Sequence, residues 1–218
     1  MPPNRLRCLN SLRRNSGCNV ILVQEDNLKD WIIPKTIHPS YQYLSFTHRA
    51  DYLRCYFSHY YGGGYSDIKN CSFQWSPYFD LLHQKSDALM VGYPEQHRKD
   101  VAIESTISNI PYMILPGMCQ FIFKSNTSLT RNWLQNVHTT LDHHYHSLQK
   151  YPGTYHPRAV NGGVHSRNLA DKLLYRGSKY PLFWNEILGS ILHPLLYTYA
   201  SAGYVITPMP FIDTANYQ

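Results

Sequence analysis

Short apolar runs alternate along this chain with stretches in which apolar residues recur every three or four positions. The recurring pattern predicts helices over 1–17, 48–61, 77–83, 129–148, 167–175 and 184–193. The short apolar runs predict strands over 19–24, 65–68, 88–93, 110–115, 119–123 and 204–207. This alternation predicts one α/β domain over residues 1–218, with a mixed, mainly parallel sheet flanked by helices.

The charge of the chain is concentrated near its start. Lys and Arg total 20 against 14 Asp and Glu, which gives a formal net charge of +6. Arg5, Arg7, Arg13 and Arg14 lie in the predicted basic helix 1–17, and no acidic residue precedes Glu25. A nucleic-acid-binding domain usually carries a wider basic stripe with aromatic residues between the cations, so that function is the weaker alternative.

Composition narrows the class of protein further. Charged residues make up only 16 % and the chain holds 19 tyrosines, a surface chemistry that suits contact with sugars. No apolar run approaches the roughly 20 residues of a membrane span. We therefore expect a cytoplasmic protein as the sequence stands, or a Golgi or membrane-associated one if an upstream anchor is missing. The five cysteines show no metal-binding spacing, which favours reduced, buried thiols.

The chemistry-bearing segment is 47–69, THRADYLRCYFSHYYGGGYSDIK. Asp51 and Arg54 are three positions apart on a predicted helix, so they share a face. Asp67 follows a Gly-rich turn, whose glycines let a backbone approach a diphosphate closely. A carboxylate there can hold a divalent metal or a ribose hydroxyl, and a carboxylate beside a guanidinium can grip a polyhydroxylated ring. An intrahelical ion pair is the alternative for Asp51 and Arg54 alone.

These residues carry a resemblance to a known family. Ala50-Asp51-x-x-Arg54 followed by Gly63-Gly64-Tyr65-Ser66-Asp67 resembles the GT-A glycosyltransferases with a DXD motif. The most similar groups are Golgi α-mannosyltransferase-like enzymes, capsular polysaccharide transferases and glucosylating toxins. The resemblance covers about a tenth of the chain and implies a GT-A, Rossmann-like fold.

The resemblance also implies roles for these residues. Asp51 and Arg54 would contact the donor sugar, and Gly63, Gly64 and Tyr65 would shape the turn at the diphosphate. Asp67 would be the first acid of the motif, near the ribose and a Mn²⁺ or Mg²⁺ ion.

Lys69 stands where the family has its second acid, so the motif is Asp67-Ile68-Lys69 here. We favour a metal-independent enzyme in which the Lys69 ammonium offsets diphosphate charge. A diverged, inactive relative is one alternative. Another is an ion held by Asp67, phosphate oxygens and a later residue. The interpretation without a functional role is a solvated lysine on a strand.

Further donor-binding candidates lie later in the chain. Asn161 and Gly162 belong to an Asn-x-Gly-Val segment that resembles a sugar-contacting segment of GT-A enzymes, although a plain turn is the alternative. Trp184 is suited to stacking on a sugar or base, Glu186 to orienting an acceptor hydroxyl, and His193 to contacting phosphate. Core packing for Trp184 and a helix-end position for His193 are the alternatives.

Histidine is abundant around Asp142, and His138 lies one helical turn earlier. No two of these histidines are four positions apart, so the pattern favours a solvated helix face over a metal site.

Taken together, the sequence predicts a glycosyltransferase that moves a hexose from a UDP- or GDP-sugar to a glycan or protein acceptor. By the resemblance, the anomeric configuration would be retained. The main alternative is a non-catalytic nucleotide-sugar or glycan-binding protein of the same fold.

Overall fold

The computed structural model describes residues 1–97, 101, 111, 114–153 and 179–211. Its α-helices are α1 (Pro3–Asn15), α2 (Phe46–Tyr60), α3 (Ser76–Gln84), α4 (Ser128–His143), α5 (Tyr145–Lys150) and α6 (Gly189–Ser201). Its strands are β1 (Gly63–Ser66), β2 (Met90–Pro94), β3 (Pro116–Phe123) and β4 (Val205–Ile206). Short 3₁₀ helices span Leu28–Asp30 and Pro39–Tyr43. The mixed α/β class is therefore confirmed.

The four strands form one mixed sheet in the order β1-β3-β2-β4. β3 pairs antiparallel with both β1 and β2, and only β2 and β4 run parallel. The prediction of a mainly parallel sheet is thus wrong for the described strands. Strand direction is decided by how each connection returns to the sheet, and a short apolar run carries no signal for that.

Helices cover both faces of the sheet because side chains alternate along each strand. On β3, Phe121 and Phe123 join one apolar cluster with residues of α2, α4 and α6, while Ile122 joins a second cluster on the other face. Leu12 of α1 and Leu82 of α3 belong to that second cluster. The result is a three-layer arrangement with the sheet in the middle.

Two helices begin at caps that the sequence supplies. The Ser45 side chain accepts a hydrogen bond from the His48 backbone N–H, so α2 begins at Phe46, two residues earlier than predicted. Thr127 forms a capping box with Thr130 at the start of α4.

Three predicted elements differ from the structure. Residues 19–24 form no strand; they lie half-exposed, and the Asn27 side chain bonds the Leu22 carbonyl and the Gln24 N–H. The predicted helix 129–148 is broken at His144, which separates α4 from α5. The last predicted helix begins only at Gly189 and continues past Pro194 to Ser201. Its amphipathic pattern starts earlier, but residues 184–188 form turns.

Some predicted elements lie outside the described residues. The predicted helix 167–175 does so entirely, and so does most of the predicted strand 110–115. The basic first helix is confirmed as α1. Within the part of the chain that is described, no helix has both the length and the apolar character needed to cross a membrane.

Candidate functional site

The candidate site lies where α2 packs on the end of β1. Asp51 and Arg54 do share a face of α2, and an Arg54 guanidinium nitrogen lies 3.1 Å from an Asp51 carboxylate oxygen. The same nitrogen lies 3.8 Å from the Asp67 carboxylate. The other terminal nitrogen of Arg54 donates to the Met118 carbonyl at 3.0 Å. Arg54 therefore joins the helix, the turn after β1 and the neighbouring strand β3.

The alternation of β1 explains why Asp67 reaches this point. Tyr65 lies opposite Phe121 and stacks on it, on the sheet face that α2 covers. Asp67 is two positions further, so it projects to the same face. The Tyr65 hydroxyl donates to Asp67 at 2.7 Å, and the Arg54 guanidinium lies 4.5 Å above the Tyr65 ring. Tyr65 thus orients both charged partners.

All three charged side chains of this cluster are withdrawn from solvent, with exposed fractions of 4 % for Asp51, 10 % for Arg54 and 15 % for Asp67. Burial raises the pKa of Asp51 to about 6; Arg54 opposes this effect and Asp67 adds to it. Burial lowers the pKa of Arg54, but the neighbouring Tyr65, Asp51 and Asp67 outweigh it and raise that pKa. Arg54 therefore stays charged between two acids.

Lys69 connects the end of β1 to the neighbouring strand β3. Its side chain is buried, and Nζ donates to the Cys119 sulfur at 3.1 Å. The Tyr93 hydroxyl lies 3.4 Å from the Cys119 backbone nitrogen. Burial raises the pKa of Cys119 and so does Asp67, whereas Lys69 lowers it. The interpretation of Lys69 as a solvated strand residue is therefore wrong.

The glycine turn between α2 and β1 is shaped by two different constraints. Gly62 and Gly63 both have a positive φ, +66° and +80°, a region that favours glycine. Gly64 lies against Trp75, since a Cβ there would come within 2.6 Å of the indole ring. A Cβ on Gly63 would meet nothing within 4 Å. The turn therefore leaves open space beside Gly63.

A second polar group adjoins the cluster at the start of α2, and the sequence interpretation did not include it. His48 is fully buried, and its Nε2 lies 2.9 Å from the Phe183 carbonyl and 3.2 Å from the Trp184 carbonyl. Because a carbonyl can only accept, Nε2 carries the proton. Nδ1 then accepts from the Tyr180 hydroxyl at 2.9 Å, and that oxygen accepts from the Ser45 N–H.

His48 connects residues 180–184 to helix α2 through its hydrogen bonds. Burial lowers the pKa of His48 to about 4, against the raising effect of the two carbonyls. Burial raises the pKa of Tyr180 to about 12; hydrogen bonds with Ser45 lower it, and the charges of Asp51 and Glu186 raise it. The sequence signal that points to His48 is its spacing, because it precedes Asp51 by three positions on the same helix.

The donor-binding candidates from the later part of the chain lie in different surroundings. Trp184 is 43 % exposed, in the segment that His48 holds. One Glu186 oxygen lies 3.0 Å from His144 Nε2, and the other accepts from the Phe183 N–H at 2.7 Å. His193 is buried within α6. Asn161 and Gly162 lie outside the described residues.

Two histidines lie close together at α4, with 5.0 Å between the ring centroids of His38 and His138. His38 Nε2 lies 3.1 Å from the exposed Asp142 carboxylate, and the His138 ring stacks on Tyr52. Burial lowers the pKa of His138 to about 4, and His38 lowers it further. Among the residues that the structure describes, no group of three or more His, Cys, Asp or Glu side chains is arranged to hold a metal ion.

Comparison with known proteins finds no family model, no curated protein and no solved structure that matches this chain.

Proposed function

We propose that this chain is a glycosyltransferase that transfers a hexose from a nucleotide-diphosphate sugar, with Asp51, Arg54 and Asp67 at the donor. The observation that carries the proposal is the buried Asp51–Arg54–Asp67 cluster at the junction of α2 and β1. Two acids and one guanidinium meet there at the end of β1, the open glycine turn precedes the same short strand, and the DXD-type resemblance rests on the residues of both.

The burial of the cluster supports a functional role over a structural one. Taking three charged groups out of water is costly, and well-packed apolar residues would serve stability at least as well. Arg54 Nε is moreover buried with no hydrogen-bond partner among the described residues. An unsatisfied buried donor costs about 1–3 kcal/mol, a cost that native proteins seldom retain without a use.

In this proposal each group of the protein has a separate role. Asp51 accepts from hydroxyls of the donor sugar, and Arg54 holds Asp51 in place while it presents positive charge. Gly63 lets the backbone approach the diphosphate. Lys69 supplies a fixed cation near the leaving nucleoside diphosphate, where negative charge develops. Trp184 and Glu186 lie in the segment that His48 fastens to α2, and they are candidates for contact with the sugar or the acceptor.

A Mn²⁺ or Mg²⁺ ion at Asp67 fits the described residues poorly. Asp67 is a single carboxylate whose Oδ1 already accepts from Tyr65 and faces Arg54. The position of the family's second acid is Lys69, which would repel a cation. Accordingly, no step of the proposed reaction passes through a metal.

Ligand binding and turnover together test the proposal. Thermal unfolding of the full chain is measured with a panel of UDP- and GDP-sugars, with and without Mn²⁺, and release of nucleoside diphosphate is assayed in parallel. We expect one donor to raise the melting temperature without Mn²⁺ and to be hydrolysed or transferred. Stabilisation with no turnover would favour the non-catalytic binding protein. No response to any nucleotide sugar would refute both.

Lys69→Asp tests the role of the lysine within the same assay. The substitution restores the family's second acid, so we expect activity either to be lost or to become dependent on Mn²⁺. Unchanged, metal-free turnover would contradict the role of Lys69. Lys29→Asp is the control, because Lys29 is exposed in the short 3₁₀ helix Leu28–Asp30.

A further inference from the structure

One face of helix α1 is basic and exposed to solvent. The exposed positions include Leu6, Arg7, Asn10, Arg13 and Arg14, whereas Leu9, Ser11 and Leu12 are buried. At 100° per residue these exposed positions fall within an arc of about 120°. Three arginines and an apolar side chain therefore share one continuous outward face.

No acid on α1 offsets these charges. Residues 1–24 contain no Asp or Glu, and Arg7, Arg13 and Arg14 form no salt bridge within the part of the chain that the structure describes. The fourth arginine of the segment, Arg5, is used differently. It donates to the Ile68 carbonyl at 2.9 Å and so faces the protein.

We propose that this arc of α1 binds the surface of an anionic lipid bilayer. A helix of 13 residues lies flat over about 20 Å, so its arginines can reach several lipid phosphates at once. Guanidinium groups pair with phosphate oxygens, and Leu6, which is 49 % exposed, can enter the boundary of the acyl region. The arc holds no aromatic side chain for stacking on bases, which disfavours a nucleic acid as the partner.

The position of α1 gives this surface a consequence for the candidate site. Besides the Arg5 contact, Asn15 donates to the Cys71 carbonyl at 2.6 Å, and Ser11 accepts from the Cys71 N–H at 3.0 Å. α1 is thus hydrogen-bonded to Ile68, which lies between Asp67 and Lys69, and to Cys71, two positions after Lys69. Bound lipid would hold that edge of the protein at the membrane. The binding itself does not depend on the proposed enzymatic function.

Vesicle binding by the full chain tests this inference. Co-sedimentation is measured with phosphatidylcholine vesicles and with vesicles in which about 30 % of the lipid is phosphatidylserine. This lipid gives the cytoplasmic leaflet its negative surface potential. We expect binding only to the anionic vesicles, weakening as salt is raised. Each arginine contributes about five-fold in affinity, so Arg7→Gln, Arg13→Gln and Arg14→Gln together should lower it about 100-fold.

A charge-matched variant supplies the control. Lys29→Gln, Lys85→Gln and Arg131→Gln lower the net charge by the same amount at exposed positions outside α1, and should change affinity less than five-fold. Equal losses in both triple variants would overturn the assignment to α1, and so would equal binding to the neutral vesicles. Displacement of the protein from anionic vesicles by a short RNA or DNA duplex at equal phosphate concentration would instead assign the arc to nucleic acid. Thermal melts of all variants check that each is folded.

Discussion

Arg54 connects more of the candidate site than any other described side chain. Its guanidinium faces Asp51 from the same helix, Asp67 from the turn after β1, the Met118 carbonyl of β3 and the Tyr65 ring. A lysine would place one point charge where Arg54 places a planar fork, so it could not serve these partners together.

Removing Arg54 should therefore be costly to stability. In Arg54→Ala the buried Asp51 carboxylate loses its ion-pair partner, and we expect a loss of about 3–5 kcal/mol in the free energy of unfolding. Urea denaturation at pH 7 measures it. Arg131→Ala, at an exposed position of α4, is the control and should change stability by about 0.5 kcal/mol or less. A loss below 1 kcal/mol in Arg54→Ala would show that the cluster is solvated.

Asp51 should make stability fall as pH rises. Its folded-state pKa of about 6 exceeds the unfolded value of 3.8, so the folded protein holds the proton more tightly between those values. Between about pH 4 and pH 6 the contribution of Asp51 to stability should thus decrease by about 3 kcal/mol. Unfolding of the wild type and of Asp51→Asn is compared at pH 4.5 and pH 7. If their difference in stability does not change with pH, Asp51 has an ordinary pKa.

At the scale of elements, a glycine turn joins α2 to β1 at the end of the strand opposite Asp67. Gly62 and Gly63 both adopt positive φ, but they differ in their surroundings. A Cβ on Gly62 would lie 2.7 Å from the Ser125 backbone nitrogen and 2.8 Å from the Phe123 carbonyl oxygen. The Gly62 position is therefore fixed by the backbone that follows β3, whereas Gly63 borders open space.

These two glycines make a matched pair of substitutions. Gly63→Ala should cost only the conformational strain of a positive φ, about 1–2 kcal/mol. Gly62→Ala adds a clash with backbone atoms that cannot rotate away, so its cost should exceed that of Gly63→Ala by about 1 kcal/mol or more. Chemical denaturation of both variants measures the difference. Equal costs would mean that the chain after β3 moves aside without penalty.

At the scale of the whole molecule, His48 links the start of α2 to residues 180–184, which are more than 130 positions away in sequence. The link needs a neutral imidazole, because Nε2 donates to the carbonyls while Nδ1 accepts from Tyr180. Protonation would replace that acceptor by a donor and would bury a charge.

His48 should therefore make stability fall as pH falls. Its folded-state pKa of about 4 is below the ordinary value of 6.5, so its stabilising effect is complete above pH 6.5 and is lost towards pH 4. The loss should be about 3 kcal/mol. His48→Gln keeps a donor near the carbonyls but cannot titrate, so its stability relative to the wild type should rise as pH is lowered from 7 to 4.5. A constant difference in urea unfolding would contradict the buried, neutral histidine.

Much of the local structure follows from the sequence because its causes are local. Apolar spacing and caps determined α1, α2 and most of α4, and the three-residue spacing placed Asp51 and Arg54 on one face. The run 19–24 is as apolar as a buried strand, but whether a strand forms depends on a partner that the sequence does not reveal. The prediction of a mainly parallel sheet failed for the same reason, since the direction of a strand also depends on its partners.

Only the tertiary structure decided which distant groups share a site. Lys69 contacts Cys119 because β1 and β3 pair in one register, and a shift of one residue would reverse the faces of these side chains. His48 contacts Tyr180 because the chain returns to the start of α2 after residue 179. The sequence by itself determined the residue types and spacing of the acid–arginine motif. Folding determined its burial, its partners and the pKa of Asp51, since these depend on long-range packing.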